Sequence, residues 1–422
     1  MNPLAEWRGL DRNQRSTFIA SFLGWTLDAF DFFLMVFVLR AIAEEFGTDV
    51  RAVATGITLT LAMRPLGALV FGMLADRFGR RPVLMADILS FSLLELASAF
   101  APSLVVLLIL RAAFGFAMGG EWGIGASLTM ETLPARARGL ASGLLQEGYA
   151  FGYLLAAIVY GLLFDTIGWR GMFAVGVLPA LVVVHIRRNV EESPTWHWMR
   201  ARPRRSLGSV LRGHGRLFLY VVVLMTAFNF FSHGTQDLYP TFLQEQRGLA
   251  THIVSGVAIL ANIGAILGGL TFGMLSQRVG RRRAIVLAAL LALPVIPVWA
   301  FGTSLVLLGL GAFLMQIAVQ GAWGVVPVHL NELSPAEVRG TFPGFAYQLG
   351  NLLASANATL QAGFAASRGD DYALALAVVA AGAAVAIALL TAAGPEAHGV
   401  ELGGGEIGSG ERVAAPSDLS SR

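Results

Sequence analysis

The chain of 422 residues contains no cysteine and no lysine. The first absence excludes a disulfide framework and thiolate chemistry. The second means that all 30 basic residues are arginine, a side chain that does not give up its proton. No lysine can therefore act as a titrating group, and no glycine-rich stretch can form a phosphate-cradling loop of the kind that needs one. Charge itself is scarce, at 14% of residues against roughly 25% in a soluble protein. No metal-ligand cluster or nucleophile constellation stands out, so an enzyme is not expected, nor is a cofactor. What is abundant is apolar: 55% of the residues are hydrophobic, and 49 are glycine. The net charge of +3 does not call for a nucleic-acid partner, because the arginines sit between apolar runs, as the positive-inside rule describes.

Those runs reach about 20 residues or more, the length that crosses a hydrocarbon core of roughly 30 Å. Twelve membrane-spanning helices are expected, at 17–40, 52–74, 83–101, 104–130, 139–163, 171–187, 216–241, 252–275, 284–301, 304–330, 341–364 and 372–393. They are called spans 1 to 12. The connections at 76–82, 136–138, 187–215, 278–283 and 339 are rich in arginine, and alternate with arginine-poor or acidic ones at 41–51, 164–170, 242–251 and 365–371. This alternation places both termini in the cytoplasm of a cell with the chain in its plasma (inner) membrane. Residues 1–16 are polar and no small-residue cleavage site follows the first run, so span 1 is expected to be retained rather than cleaved as a signal peptide. The organisation that follows is a cytoplasmic segment at 1–16, a six-helix bundle at 17–187, a cytoplasmic linker at 188–215, a second bundle at 216–393 and a disordered tail at 394–422. The linker carries Arg188, Arg200, Arg202, Arg204 and Arg205.

The two bundles are related in sequence. Gly72-Met-Leu-Ala-Asp76-Arg77-Phe-Gly79-Arg80-Arg81 recurs 201 residues later as Gly273-Met-Leu-Ser-Gln277-Arg278-Val-Gly280-Arg281-Arg282. Glu131-x-x-Pro134 with Arg138-Gly139 recurs at the same offset as Glu332-x-x-Pro335 with Arg339-Gly340. Two six-span halves in parallel repeat are the internal symmetry of a large class of secondary transporters.

The repeated loop resembles the signature of the major facilitator superfamily, and Arg111-x-x-x-Gly115-x-x-x-Gly119 resembles a second motif of that group. The resemblance implies an all-α membrane fold: two six-helix pseudo-symmetric bundles around a central cavity that opens to alternate sides. Leu27-Asp28-Ala29-Phe30-Asp31 and Gly119-Gly120-Glu121-Trp122-Gly123 are similar to the sialate/lactate proton symporter branch. In span 7, Asn229, Ser232, His233, Thr235, Gln236, Asp237 and Thr241 fill the signature of the Jen-type lactate and pyruvate permeases. That match implies proton-coupled symport of a short monocarboxylate.

Ionisable groups at membrane depth are costly and point to function. Arg64 lies near the middle of span 2, where its planar fork suits a carboxylate. It is expected to anchor the substrate anion, or else to tie span 2 to Asp28 or Asp31; the two roles can alternate as substrate comes and goes. Asp28 and Asp31, three apart on one helix face, are candidates for carrying the proton, with helix–helix adhesion as the alternative. Asn229, His233 and Asp237 form a stripe at four-residue spacing, suited to proton coupling and substrate contact. Glu121 either carries a proton or pairs with Arg111. Gln348 and Asn351, three apart in span 11, offer neutral hydrogen bonds to substrate, as the resemblance also implies. Tyr149 is expected to shape the pocket, with Gln146, Phe151 and Tyr153 near it. Asp76, Arg77, Arg80 and Arg81, with Arg278 and Arg281 in the second copy, are read as gating residues; Gln277 in place of an aspartate makes that latch asymmetric. His185 and His329, near the arginine-rich ends, are read as structural. The partners expected are a small organic anion, a proton and the lipid bilayer. Sialate or an aromatic acid is the alternative cargo, and a non-transporting metabolite sensor the alternative class.

Overall fold

In the computed structural model, which describes residues 3–200 and 207–402, every regular element is a helix among those residues. Arg202, Arg204 and Arg205 of the linker and the tail from 403 lie outside the described residues.

Ten of the helices are long and apolar enough to cross a membrane. One of them, Ala135–Asn189, runs 55 residues and is two spans joined at Gly168, whose φ of 61° breaks the helix. A twelfth segment is added by Phe342–Ala354 and Asn357–Ser367, two shorter helices interrupted at Ser355 and Ala356. Spans 4 and 10 are also interrupted: Leu104–Met118 gives way to Glu121–Thr132 at Gly119-Gly120, and Leu305–Trp323 to Val326–Leu333 at Gly324-Val325. Span 7, Leu207–Gln236, ends before Tyr239-Pro240 and passes into a π-helical turn at Phe242–Gln246.

The local chemistry at the starts of spans 3 and 4 is repeated at spans 9 and 10. Gly79 and Gly280, with φ of 115° and 93°, open spans 3 and 9 in a backbone conformation that glycine tolerates. This explains the glycine of the repeated loop. Ser103 and Ser304 cap spans 4 and 10, accepting from the N–H of Val106 at 3.4 Å and of Leu307 at 3.3 Å. Glu192 accepts from the N–H of Arg80 at 2.9 Å and of Arg81 at 3.1 Å, and Glu396 accepts from the N–H of Arg282 at 3.0 Å. A carboxylate thus sits on the positive end of both helices. Burial pushes the Glu192 carboxyl up, while the amides of Ser193, Arg80 and Arg81 and the Arg80 guanidinium pull it down.

Packing follows the same two-fold pattern. Span 1 packs on span 5 and span 2 on span 4; in the second half span 7 packs on span 11 and span 8 on span 10. The halves meet through span 5 against span 8 and span 2 against span 11. Lipid supplies no hydrophobic drive between helices, so close approach depends on small residues. A Cβ at Gly115 would lie 2.1 Å from the Thr60 carbonyl of span 2, and one at Gly119 2.1 Å from that of Arg64. Those are the two glycines of the Arg111-x-x-x-Gly115-x-x-x-Gly119 motif.

Overpacking a tight contact costs about 1–3 kcal/mol or more. Gly115→Val is therefore expected to lower the melting temperature in detergent markedly. Gly161→Val, at a position with nothing within 4 Å of the added carbon, is expected to leave it unchanged. Equal melting temperatures would refute this account of the motif.

Candidate functional site

The sequence candidates of the first half converge inside its bundle. Arg64 is 3% exposed and its Nη2 lies 3.3 Å from Asp28 Oδ2. Its guanidinium carbon stands 6.0 Å from the centre of the Trp25 ring. Asp28 is the aspartate that takes Arg64; Asp31, three residues on, lies buried with neither oxygen hydrogen-bonded. Trp25 stacks on Tyr149 at 5.6 Å, and Phe33 packs edge-on against Tyr149 at 5.2 Å and Tyr153 at 4.9 Å. Rings therefore wall the approach to the arginine, with Tyr149 at the centre and Phe151 half-exposed nearby, 5.8 Å from Phe22.

Glu121 follows the break in span 4 and is fully buried with both oxygens unpartnered. The alternative pairing with Arg111 does not occur. Arg111 pairs instead with Glu95 of span 3 at 2.7 Å and donates to Ser98 Oγ at 2.6 Å. Its guanidinium is sandwiched by Phe114 and Phe173 at 4.4 and 4.9 Å. Glu95 and Asp87, both fully buried in span 3, are members of this interior charge group that the sequence reading missed. The signal was present, since both are intramembrane carboxylates eight residues apart on one helix face.

The second half supplies a polar chain. His233 Nδ1 lies 3.2 Å from Asp237, and its Nε2 lies 3.2 Å from Asn351 Oδ1 of span 11. His233 and Asp237 keep 40% and 39% of their side-chain surface exposed. Asn229 donates to its own helix, at Met225 O, 2.8 Å away, and does not reach His233. Gln348 is buried with both side-chain polar atoms unpartnered. Within the first half Trp122 donates to Gln146 Oε1 at 3.4 Å, and its ring packs 4.7 Å from Tyr347 of the second half.

The arginine-rich end is shut. Asp76 accepts from Gly340 N at 2.7 Å, Thr341 N at 3.1 Å and Thr341 Oγ1 at 2.6 Å, all in the opposite half, and pairs with Arg80 at 3.1 Å. Arg80 also pairs with Glu131 at 3.2 Å, and Glu131 reaches across to Arg339 at 3.5 Å. The repeat rebuilds this motif: Arg281 pairs with Glu332 at 2.9 Å, and Glu332 reaches Arg138 across the seam at 3.9 Å. Gln277, standing where the first copy has Asp76, accepts a single cross-half bond, from Gly139 N at 3.3 Å. Arg81 instead binds Arg187 O at 2.7 Å, Arg77 lies over the Phe78 ring at 5.1 Å, and Arg278 is exposed. Glu131, Glu332, Arg138 and Arg339, which the repeat in the sequence sets at fixed spacing, are full members of this cross-half network of ion pairs.

The tail's first residues close over the same end. Arg138 Nη1 donates to Val400 O at 2.6 Å, Thr195 to Leu402 O, and Leu402 is buried at 3% exposure. Residues 394–402, grouped with a disordered tail in the sequence reading, are thus held. His185 lies 3.3 Å from the Asn189 amide, and His329 is fully buried with neither ring nitrogen bonded. The cross-half hydrogen bonds and ion pairs among the described residues all belong to this end, so the halves are sealed there, while His233 and Asp237 lie at the end of span 7 with part of their side-chain surface exposed.

The sequence profile of the Major Facilitator Superfamily matches residues 17–359. The chain belongs to that family and is a multi-pass membrane transport protein rather than an enzyme. It is 34% identical over 351 residues to a probable 4-methylmuconolactone transporter of Cupriavidus pinatubonensis, covering 80% of each chain. It is 28% identical over 353 residues to the sialic acid transporter NanX of Escherichia coli, covering 82% of this chain and 86% of the relative. It is also 28% identical over 388 residues to a carboxylic acid transporter protein homolog of Saccharomyces cerevisiae, covering 86% of this chain but only 63% of that longer protein. The solved structure of the proton:xylose symporter XylE shares the fold, with a TM-score of 0.77 at 18% identity over 92% of this chain and 97% of that one.

Removing one partner of a buried ion pair costs about 3–5 kcal/mol. Glu131→Gln should therefore loosen the gate by more than tenfold in its opening equilibrium. In a Ser142→Cys background, whose thiol is the chain's single cysteine, maleimide labelling of this seam position should accelerate accordingly. An unchanged rate would show that Glu131 does not hold the halves together.

Proposed function

We propose that the protein is a proton-coupled symporter of a short monocarboxylate such as lactate or pyruvate. The observation that carries the reading is Arg64, a permanent positive charge buried beside Asp28 at the aromatic-walled centre of the first bundle. A buried guanidinium keeps a carboxylate partner at nearly any cost, because an unpaired ion in low dielectric loses its solvation. A substrate carboxylate can replace Asp28 there with equal charge and a bidentate fit. Asp28, released from its arginine and still out of water, then takes up a proton. The anion and proton together cross without net charge, which avoids the ~2.3 kcal/mol per 100 mV that an anion pays to enter a negative interior. His233, hydrogen-bonded to Asp237 and Asn351, is the matching group in the second half, orienting the far end of the substrate and relaying protons.

Positive-inside orientation makes the arginine-rich end cytoplasmic, with both termini inside and the chain in the plasma (inner) membrane. The sealed gate then corresponds to the outward-facing state, in which the anion enters from outside. The names of the relatives, for carboxylic, muconolactone and sialic acid transport, support an organic-acid cargo. One feature favours a second reading, a planar aromatic or unsaturated acid: the ring wall of Trp25, Phe33, Tyr149 and Tyr153 exceeds what a three-carbon acid needs.

Uptake of labelled L-lactate into proteoliposomes, with and without an inward proton gradient, tests the proposal. Stimulated uptake is expected for the wild type and its loss, by at least about tenfold, for Arg64→Ala. Absence of lactate and pyruvate transport by folded protein, with transport of benzoate or muconate in their place, would transfer the site to the second reading. Uptake indifferent to the gradient would remove the proton from the mechanism.

A further inference from the structure

Span 5 carries no charged residue between Arg138 and Asp165 except Glu147. This carboxyl does not face the substrate site. It lies in the seam between halves, 2% exposed, where a Cβ built on Gly269 of span 8 would stand 2.1 Å from its Oε1. That oxygen is buried without a hydrogen-bond partner. The seam around it is backbone against backbone: a Cβ at Gly143 would meet Gly269 O at 2.4 Å and one at Gly139 would meet Gly273 O at 2.5 Å, while within the second half one at Gly324 would meet the same Gly269 O at 2.6 Å. A carboxyl group wedged into such a contact is out of place unless it has work there.

No counter-charge faces it. Span 8 has no charged residue between His252 and Arg278, and span 10 offers only His329, toward the arginine-rich end. Among the residues of span 1 beside this stretch of span 5, Asp28 is committed to Arg64 and Asp31 is another acid. In span 4 Glu121 is also an acid, while Arg111 is held by Glu95. Tyr149, on the same helix, is turned toward Trp25 and Phe33. No ion pair involving Glu147 exists among the described residues. An isolated carboxylate in this dry seam would cost several kcal/mol, so the closed seam requires the neutral acid. Separation of spans 5 and 8 would admit water and allow the anion.

We propose that Glu147 is a proton-binding site distinct from the substrate cavity, protonated while the arginine-rich end is sealed and ionised when that end opens. Raising the pH therefore favours opening at this end, and acid favours the seal. The internal repeat supplies an independent indication: the residue 201 positions after Glu147 is Gln348, its neutral isostere, likewise buried with unpartnered polar atoms. The fold thus holds an uncharged amide permanently where this site holds an acid that can be switched. The inference rests on the opening and closing of the two halves and not on the identity of the cargo.

The test uses spin labels at Arg136→Cys and Glu337→Cys, symmetry-related positions flanking the seal in a chain otherwise free of cysteine. Distances are measured by pulsed electron resonance without substrate between about pH 5 and about pH 9, the interval over which buried carboxyls titrate. The short-distance population of the wild type should fall as pH rises. Glu147→Gln should keep it at the acid level throughout. A wild-type distribution independent of pH, or an unaltered pH dependence in Glu147→Gln, overturns the proposal. Should that variant fail to fold, Gly269→Ala serves instead: its Cβ drives the carboxyl out of the seam, and the midpoint should move to lower pH. An unmoved midpoint in folded Gly269→Ala also overturns it. Lactate uptake measured in parallel separates this result from the fate of the substrate assignment.

Discussion

Arginine that cannot be discharged, placed where water does not reach, is the constraint on which this molecule is built. Arg64, Arg80, Arg111 and Arg281 are all nearly inaccessible, and each is matched to a carboxylate within 3.3 Å. These pairs are not chiefly a source of stability, since desolvation cancels much of the attraction. They are commitments: whichever acid loses its arginine must find another cation, reach water or take a proton. At Arg64, in the mechanism proposed above, the commitment passes to a substrate. At Arg80 and Arg281 it passes between halves, because Glu131 and Glu332 each serve an arginine of their own half and one of the other.

The glycine seam and the ionic gate solve different parts of the same problem. Glycines 123, 139, 143, 269, 273 and 344 let backbones of the two halves approach closely, with the Glu147 carboxyl set among them, which gives a flat, separable face. The ionic residues sit at its rim and fix its register. A seam made of interlocking large side chains would be stronger and could not part and reseal repeatedly. In lipid, where apolar association is weak, this division between a smooth face and a charged rim is an economical arrangement for alternating access.

Much of the architecture was legible in the sequence because its determinants are local or periodic. Apolar runs of membrane length, arginine at alternate connections and a repeat at a fixed offset are all visible without a structure. Arg64 and His233 could be singled out because a polar residue in an apolar run is conspicuous. The partnerships were not legible. That Arg111 would choose Glu95 over Glu121, that Glu192 and Glu396 would cap spans 3 and 9, or that Leu402 would be drawn under the gate depends on which helix faces meet. Those meetings are set by packing between residues far apart in the chain, with no short-range signal. Asp87 and Glu95 are a different matter: the rule that exposes Arg64 applies equally to them, and only the lack of a motif around them let them pass.

The repeat has a historical consequence. Position by position at an offset of 201, Asp28 of the first half answers to Asn229 of the second, Asp76 to Gln277 and Glu147 to Gln348, while Arg64 and Arg111 answer to Ala265 and Ala312. All three acids thus answer to a side-chain amide across a duplication, and two of them, Asp28 and Glu147, to their own. A symmetric ancestor made of two identical halves would have carried every such ionisable position twice; the descendant keeps one acid and one amide of each pair. Divergence after the duplication has separated labour at these three positions: the first half keeps a group that can change its charge where the second holds a neutral amide.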